Sequence, residues 1–523
     1  MADRIDRRGF LGSAAATLAG ASVCARAQDD AATASARTAA RPNVLLIHGD
    51  QHRIECLGAY SNNEIRTPHL DAIATDGVRF ENSFCPYPVC TPSRYSLLSG
   101  RYVHEHRGWT NHCTLFPGTE TFPSVLKHAG YPTKAVGKMH FTPTYLDVGF
   151  EEMILSEQDG PGRWDDDYHR ALRDAGLVDR NDLEDQRKEY RDRARPEYWQ
   201  TFGALPTNLP DAFYSTQWIG DHAVETIEGW GTSGQLLMVG FIKPHHPFDP
   251  PASWAERYEP DALSLLPGWT DACLPHDLEL HRGYFPHESL TVAALQRVMA
   301  YYYASIEQID HQVGRMIEVL RRKGLYDNTM IIYTSDHGEY LGCHHMLLKG
   351  NYMYDPLVKV PLIIKYPAGK FGGRVSQAMV SNIDVAPTIL RQASCAVPDG
   401  MRGIDLAAED IGRDHVFAES AGGTHAMART GTRKLLLSRK HGKSLFFDIE
   451  HDPAEVHDRY DDPACRDEIQ ALTRAIEAWR SFDDLPPTYL DENAPVIDQP
   501  NVASRDDDHR DRMAAYCRKM MAQ

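Results

Sequence analysis

Six short stretches of the chain carry side chains that could share one chemical task. In Cys90-Thr-Pro-Ser-Arg94, Pro92 suits the first turn of a helix, Leu97 and Leu98 its buried side, and Gly100 its stop, which sets Cys90 just before a helix N-terminus. Backbone N–H groups and the positive end of the helix dipole then face whatever lies beside Cys90. Arg94, one turn on, folds back to the same spot, so the arrangement suits an anion. Asp50-Gln51 and Asp336-His337 offer two carboxylates, an amide oxygen and an imidazole, a mostly hard set that suits Ca²⁺, Mg²⁺ or Mn²⁺ better than zinc. Lys138 and His140, two apart in extended chain, point to the same side. His245, in Lys243-Pro-His-His-Pro-Phe248, and Lys349 add an imidazole for proton transfer and a cation. Each has a plainer reading taken singly: a structural cysteine, a strand cap, a turn, a packed histidine or a surface lysine.

What could bring them together is the pattern of apolar strands that end in these polar residues. Asn43 to Ile47 runs into His48-Gly-Asp50-Gln51, Pro132 to Gly137 into Lys138-Met-His140, Leu236 to Ile242 into Lys243-Pro-His245, and Met330 to Thr334 into Ser335-Asp336-His337. Such strands alternate with helical stretches, of which Ala304 to Lys323 is the clearest: Ile306, Ile309, Val313, Met316, Ile317 and Leu320 recur with helical period. The pattern predicts an α/β fold with a largely parallel sheet. Ligands bind such sheets at the carboxyl ends of strands, where four polar clusters converge with Cys90.

Cys90-Thr-Pro-Ser-Arg94 followed by Leu-Leu-Ser-Gly100-Arg101 closely resembles the signature of the formylglycine-dependent sulfatases, and the resemblance extends over roughly residues 41 to 460. It implies an alkaline-phosphatase-like fold: a large mixed, mostly parallel sheet flanked by helices, with a smaller C-terminal α+β subdomain. It implies that Cys90 is oxidised to formylglycine by a maturation enzyme, the hydrated aldehyde being the nucleophile, and that one divalent metal ion is held by Asp50, Gln51, the modified Cys90, Asp336 and His337. Ca²⁺ is favoured by the resemblance, with Mn²⁺ or Mg²⁺ as alternatives. In the same way Arg94, Lys138, His140, His245 and Lys349 are assigned to catalysis. Lys138 binds sulfate, His140 handles the second hydroxyl, His245 protonates the departing alkoxide and Lys349 lies on the sulfate and leaving-group oxygen. Asn111 is placed with Lys138, His245 and Lys349 among the substrate contacts. Many sulfatases have Asp-Asp and Asp-Asn where this chain has Asp50-Gln51 and Asp336-His337, a pairing similar to choline sulfatases and phosphonate monoester hydrolases. Lys138-Met-His140 resembles sulfatases and tips the reading towards a small or carbohydrate sulfate ester. The alternatives are a phosphonate or phosphate ester hydrolase on the same site and a non-catalytic binder of sulfated ligands.

A chain of 523 residues exceeds one ordinary core. Residues 1–27, with Arg7-Arg8-Gly-Phe10-Leu11 and an Ala-rich apolar run before Ala25-Arg26-Ala27, resemble a twin-arginine export signal, which implies the twin-arginine machinery as a partner and a periplasmic or secreted product. Residues 28–40 read as a flexible spacer, 41–395 as the catalytic domain with insertions near 151–211 and 260–288, 396–482 as the C-terminal subdomain and 483–523 as a charged tail. Thr432 to Leu437 and Ser444 to Asp448 read as antiparallel strands, and Asp467 to Phe482 as the last helix. No stretch of the mature chain is apolar enough to span a membrane. The net charge of -18 excludes nucleic acid as the main partner, and requires a local cationic cluster to draw in a sulfate ester. Ten cysteines without C-x-x-C spacing define neither a zinc site nor a disulfide framework.

Overall fold

The strand that ends in Asp50 is buried along its whole length, and its side chains alternate between two cores. In this computed structural model, which describes residues 41–480 except 117, 159–162, 165, 278–284, 351, 409–410 and 441, together with 507–522, β1 is Asn43–Asp50. Val44 and Leu46 face one hydrophobic layer with Met238, Met330 and Ile332. Leu45 and Ile47 face the other with Leu237, Val239 and Ile331. A strand covered by helices on both faces reads as a continuous apolar run, as this one does. The readings of residues 1–40 as export signal and spacer lie outside the described residues, as does much of the tail.

Eight strands form the main sheet: β1, β2 (Val78–Phe84), β3 (Thr133–Gly137), β4 (Glu152–Leu155), β5 (Leu236–Pro244), β6 (Thr329–Ser335), β7 (Leu362–Lys365) and β8 (Arg374–Ser381). Their order is β4-β3-β5-β1-β6-β7-β2-β8, and β7 alone among these runs antiparallel to its neighbours. The sheet is thus large, mixed and mostly parallel, as expected. The central trio β5, β1 and β6 brings the ends bearing His245, Asp50 and Asp336 side by side. Between β3 and β5 the backbones close up: a Cβ on Gly137, whose φ is +93°, would lie 2.1 Å from the Gly240 carbonyl oxygen. That approach lets Lys138 N donate to Gly240 O at 2.7 Å and delivers Lys138 to the same edge.

The structure corrects three details. The long helix is Val292–Arg322, starting well before Ala304, because Leu295, Val298, Met299 and Tyr302 extend its buried stripe against a separate apolar cluster. Glu152–Leu155, read as the beginning of an insertion, is the edge strand β4, paired in parallel with β3. The charge-rich segment after it is part core and part surface: Glu157, Gln158, Arg163, Asp166, Asn181, Asp182, Glu184 and Asp185 are buried, while Lys188, Glu189, Asp192 and Arg193 are exposed.

The C-terminal region is a four-stranded antiparallel sheet of β9 (Val416–Ser420), β10 (His425–Arg429), β11 (Arg433–Ser438) and β12 (Leu445–Asp448). Ala426, Ala428, Leu435 and Phe446 pack under the helix Arg466–Trp479, while Met427, Leu436 and Phe447 pack against Tyr354 and Leu357. The helix Asp507–Met521, in the tail, lies against the insertion, with Tyr516 Oη donating to Leu177 O at 2.8 Å. Among the described residues no helix is long and apolar enough to cross a membrane, and no disulfide joins the nine cysteines.

A buried ion cluster ties the C-terminal sheet to the short helix Asp355–Val358 that precedes β7. Lys434 Nζ lies 2.8 Å from Asp355 and 2.7 Å from Glu455, and Arg429 closes on Asp355 at 3.0 Å. Removing one member of a buried cluster leaves its partners uncompensated in low dielectric. Lys434→Met is therefore expected to lower stability by about 3–5 kcal/mol in urea denaturation, where an exposed pair would cost under about 1.

Candidate active site

Cys90 is the first residue of the helix Cys90–Ser99 and not the residue before it. Val89 is the extended cap, because Ser93 N closes the turn on Val89 O at 3.1 Å. The whole helix is buried, so the thiol stands in the first turn with no exposed flank. Asn111 does not reach into open space: its Oδ1 accepts from Thr91 N at 3.1 Å and satisfies a donor of that first turn.

Four ligating atoms, one each from Asp50, Cys90, Asp336 and His337, lie within 4.8 Å of one another. Ligands at Ca²⁺ distances of about 2.3–2.6 Å cannot be further apart than roughly 5 Å, so this spacing fits one ion. Arg94 sets which oxygens are free to take part. Its Nη2 donates to Asp50 Oδ2 at 2.8 Å and its Nε to Asp336 Oδ2 at 3.0 Å. Asp50 Oδ1 is left 3.6 Å from Cys90 Sγ and 3.9 Å from His337 Nε2. Gln51, held at φ +64°, ties the strand ends together, its N–H donating to Asp336 Oδ1 at 3.0 Å.

The cations gather on the same point. Lys138 Nζ is 2.8 Å from Asp50 Oδ2. Lys349 Nζ donates to Gln51 Oε1 at 2.9 Å and lies 3.5 Å from Cys90 Sγ and 2.8 Å from His245 Nε2. Burial opposes ionisation of Asp50, yet Lys138, His245, Arg94 and Lys349 hold its carboxyl well below the usual range. Burial, with Asp50 beside it, pushes the Cys90 thiol up to about 12, so an unmodified thiol here is protonated at neutral pH.

Two imidazoles are kept neutral. Burial first, and Lys349 second, hold His245 well below its ordinary value, and its Nδ1–H donates to His246 O at 2.7 Å, which leaves Nε2 as the acceptor facing Lys349. Burial and Lys138 do the same to His140, whose Nδ1 is buried without a hydrogen-bond partner. The expected extended spacing of Lys138 and His140 is not what the structure has. β3 stops at Gly137 and His140 sits at φ +56°, because Glu157 gathers the N–H groups of Met139 and His140 at 2.9 and 3.0 Å.

The family model described as Sulfatase matches residues 42–395, more than half of the chain. The chain belongs to the sulfatase family. Sulfate ester hydrolysis is accordingly the activity of this sulfatase, and residues 342–481 match the C-terminal model of N-sulphoglucosamine sulphohydrolase. It is 28% identical over 464 residues to an arylsulfatase of Clostridium perfringens, covering 83% of this chain and 94% of that one. It is 30% identical over 396 residues to an N-acetylglucosamine-6-O-sulfatase of Bacteroides thetaiotaomicron, covering 70% of each. In fold it resembles the phosphonate monoester hydrolase of Agrobacterium radiobacter, with a TM-score of 0.70 at 22% identity over 84% of this chain and 95% of that chain.

Sequence reasoning missed the carboxylates that position this sulfatase's site. Glu339 accepts from Gln51 Nε2, from Leu341 N at 3.0 Å and from Leu348 N, so it fixes both Gln51 and the loop carrying Lys349. Burial raises it to about 7 despite those donors. Asp185 holds His246 Nδ1 at 2.5 Å, and His246 stacks on His245 with ring centres 4.1 Å apart. The spacing Ser335-Asp-His-Gly-Glu339 was a signal for the first; nothing local marked the second. Glu339→Gln keeps size but turns a donor towards Gln51. Losses from such supporting partners are about 10–100-fold in metal affinity, to be read from the metal concentration that half-restores activity after chelation.

Proposed function

We propose that the chain is an exported sulfatase acting on a carbohydrate sulfate monoester, with formylglycine made from Cys90 as nucleophile and one divalent ion, Ca²⁺ favoured, held by Asp50, Gln51, the modified Cys90, Asp336 and His337. The observation that carries this reading is the meeting of Cys90, in a helix's first turn, with two carboxylates and an imidazole on one side and Lys349 on the other. The likeness to an N-acetylglucosamine-6-O-sulfatase supports a sugar ester, and Arg7-Arg8-Gly-Phe10-Leu11 supports export.

When bound, the metal supplies Lewis-acid stabilisation of sulfate oxygens, and the hydrated formylglycine supplies a hydroxyl nucleophile with a second hydroxyl beside it. Arg94 and Lys138 keep Asp50 ionised and oriented towards that residue. Lys349, anchored on Gln51 Oε1, places an ammonium where the sulfate and leaving-group oxygens lie. His245 accepts from that ammonium, so the two share the proton that the departing alkoxide needs. His140, neutral and with Nδ1 unpaired, is the acceptor for a proton from the second hydroxyl.

The test is mass spectrometry of the tryptic peptide ending at Arg94, from protein made alongside a formylglycine-generating enzyme. Conversion gives a species about 18 Da lighter than the thiol form that a hydrazine traps. A peptide that stays a thiol sinks the proposal and leaves a binder or a cysteine hydrolase. Gln51 and His337 favour a second reading, a phosphonate monoester hydrolase on the same site. Initial rates on aryl sulfate and aryl phosphonate esters separate the two.

A further inference from the structure

β4 pairs in parallel with β3, Leu155 lying opposite Gly137, so the residues that follow each strand leave the sheet side by side. Ser156 N donates to Gly137 O at 3.2 Å, and Glu157 and Gln158 then reach the turn that carries Lys138 and His140. Glu157 takes the N–H groups of that turn. Gln158, fully buried, takes its charged head: Oε1 accepts from Lys138 Nζ at 3.2 Å.

The Gln158 amide can face only one way. Its Nε2 donates to Asp182 Oδ1 and to His246 O, at 2.8 Å each, and both of these are acceptors. The ammonium on its other side can only donate, so Oε1 must face Lys138; a flipped amide would set N–H against N–H. The residue is itself held, its carbonyl accepting from Arg163 Nε at 2.9 Å, and Arg163 in turn pairs with Asp182. The His246 carbonyl also accepts from His245 Nδ1, so one amide spans the ends of β3 and β5. Lys138 Nζ has three N–H donors. Asp50 Oδ2 takes one at 2.8 Å and Gln158 Oε1 another, which fixes the direction of the third. A neutral acceptor does this without adding negative charge, whereas a carboxylate there would compete with sulfate for the same cation.

We propose that Gln158 is a positioning residue of this sulfatase: it holds Lys138 so that the third N–H of the ammonium meets a nonbridging oxygen of the sulfate ester. The inference rests on the assignment of Lys138 to sulfate binding and adds what fixes the lysine in that task. Gln158 acts through Lys138 and not on the substrate. Without its acceptor the ammonium, on a flexible stem, turns about Asp50 as its remaining anchor among the described residues.

The test is a double-mutant cycle between Gln158 and Lys138 in the metal-loaded full chain, with rates normalised to the fraction of Cys90 carrying the aldehyde. Gln158→Met is expected to lower kcat/KM for 4-nitrophenyl sulfate by about 10²-fold, and to weaken the binding of inorganic sulfate, titrated calorimetrically, by about tenfold. Lys138→Ala is expected to lose at least as much. Adding Gln158→Met to it should cost under about threefold more, since the lysine it acts on is gone. Phenyl and 4-nitrophenyl sulfate should suffer equal fold losses, because Lys138 faces sulfate oxygens and not the leaving group. Gln158→Asn keeps an amide but stops one methylene short of Lys138; it should give the same pattern, and carries the cycle if the methionine variant lacks a cooperative melting transition. Losses that multiply in the double variant, or a loss confined to phenyl sulfate, overturn the inference and leave Lys138 its role. An unchanged rate in Lys138→Ala overturns that role, and the inference with it.

Discussion

Cys90→Ala is expected to lower kcat for a sulfate monoester by at least about 10⁴-fold, because it removes the covalent nucleophile and leaves only binding and electrostatic stabilisation. The structure makes the requirement stricter than loss of a sulfur atom. Without a bound ion, burial and the nearby Asp50 carboxylate push the thiol up, and a thiol lacks the second hydroxyl whose deprotonation releases sulfate, so the unconverted protein does not complete this cycle. Activity across preparations should therefore rise in proportion to the fraction of the Arg94-terminated peptide carrying the aldehyde, and extrapolate to zero with it. The alanine variant keeps the contacts that fold the helix, since Ser93 still closes on Val89 and Thr91 on Asn111. It should retain a cooperative melting transition, which separates loss of chemistry from loss of fold. Residual kcat within about 10²-fold of the converted enzyme would mean that another group attacks sulfur.

The parts of this site that the sequence displayed are those where strand and site share one residue run. Asp50, Lys138, His245 and Asp336 stand at or just past the ends of β1, β3, β5 and β6, so an apolar stretch that turns polar announced each of them. Position in the sheet then did the rest, because parallel neighbours deliver their carboxyl ends to one edge. Glu339, Glu157 and Asp185 escaped for the opposite reason. Glu157 and Asp185 sit in charge-rich sequence that reads as solvated, and the groups they satisfy are distant in the chain, His246 being 61 residues from Asp185 and Gln51 288 from Glu339. Their burial is a tertiary fact. Asn111 was picked out as a possible substrate contact; in the structure its Oδ1 also accepts from Thr91 N in the first turn of the Cys90 helix. In the C-terminal sheet, β11 and β12 were legible from Leu435 to Leu437 and Phe446-Phe447, whereas β10 rests on Ala426 and Ala428, whose packing under the last helix no local pattern shows, and β9 on Val416 and Ala418, buried on the opposite face.

Arg94 gives the second large effect, one of charge balance. Its guanidinium is fully buried and holds the Oδ2 atoms of two buried carboxylates, at 2.8 Å on Asp50 and 3.0 Å on Asp336, while Nη1 donates to Lys138 O at 2.6 Å. Arg94→Met preserves much of the volume but leaves Asp50 with Lys138 as its close cation and Asp336 with none. In chelator-treated protein the expected loss of stability is about 3–5 kcal/mol, the usual cost of removing one partner from a buried pair. A divalent ion at the same carboxylates restores part of the balance and binds only the folded state, so it stabilises by mass action. The difference in melting temperature between metal-loaded and chelated protein should therefore be larger in the variant than in wild type. kcat should fall at the same time by about 10²–10³-fold, because the carboxylates no longer present their Oδ1 atoms to the nucleophile with fixed orientation. An equal or smaller metal-dependent shift in the variant would show that Arg94 does not balance the carboxylates, and would place its role in the backbone of the Lys138 turn. A larger shift would make the arginine and the metal ion complementary occupants of one pair of carboxylates, each taking one oxygen of Asp50 and Asp336.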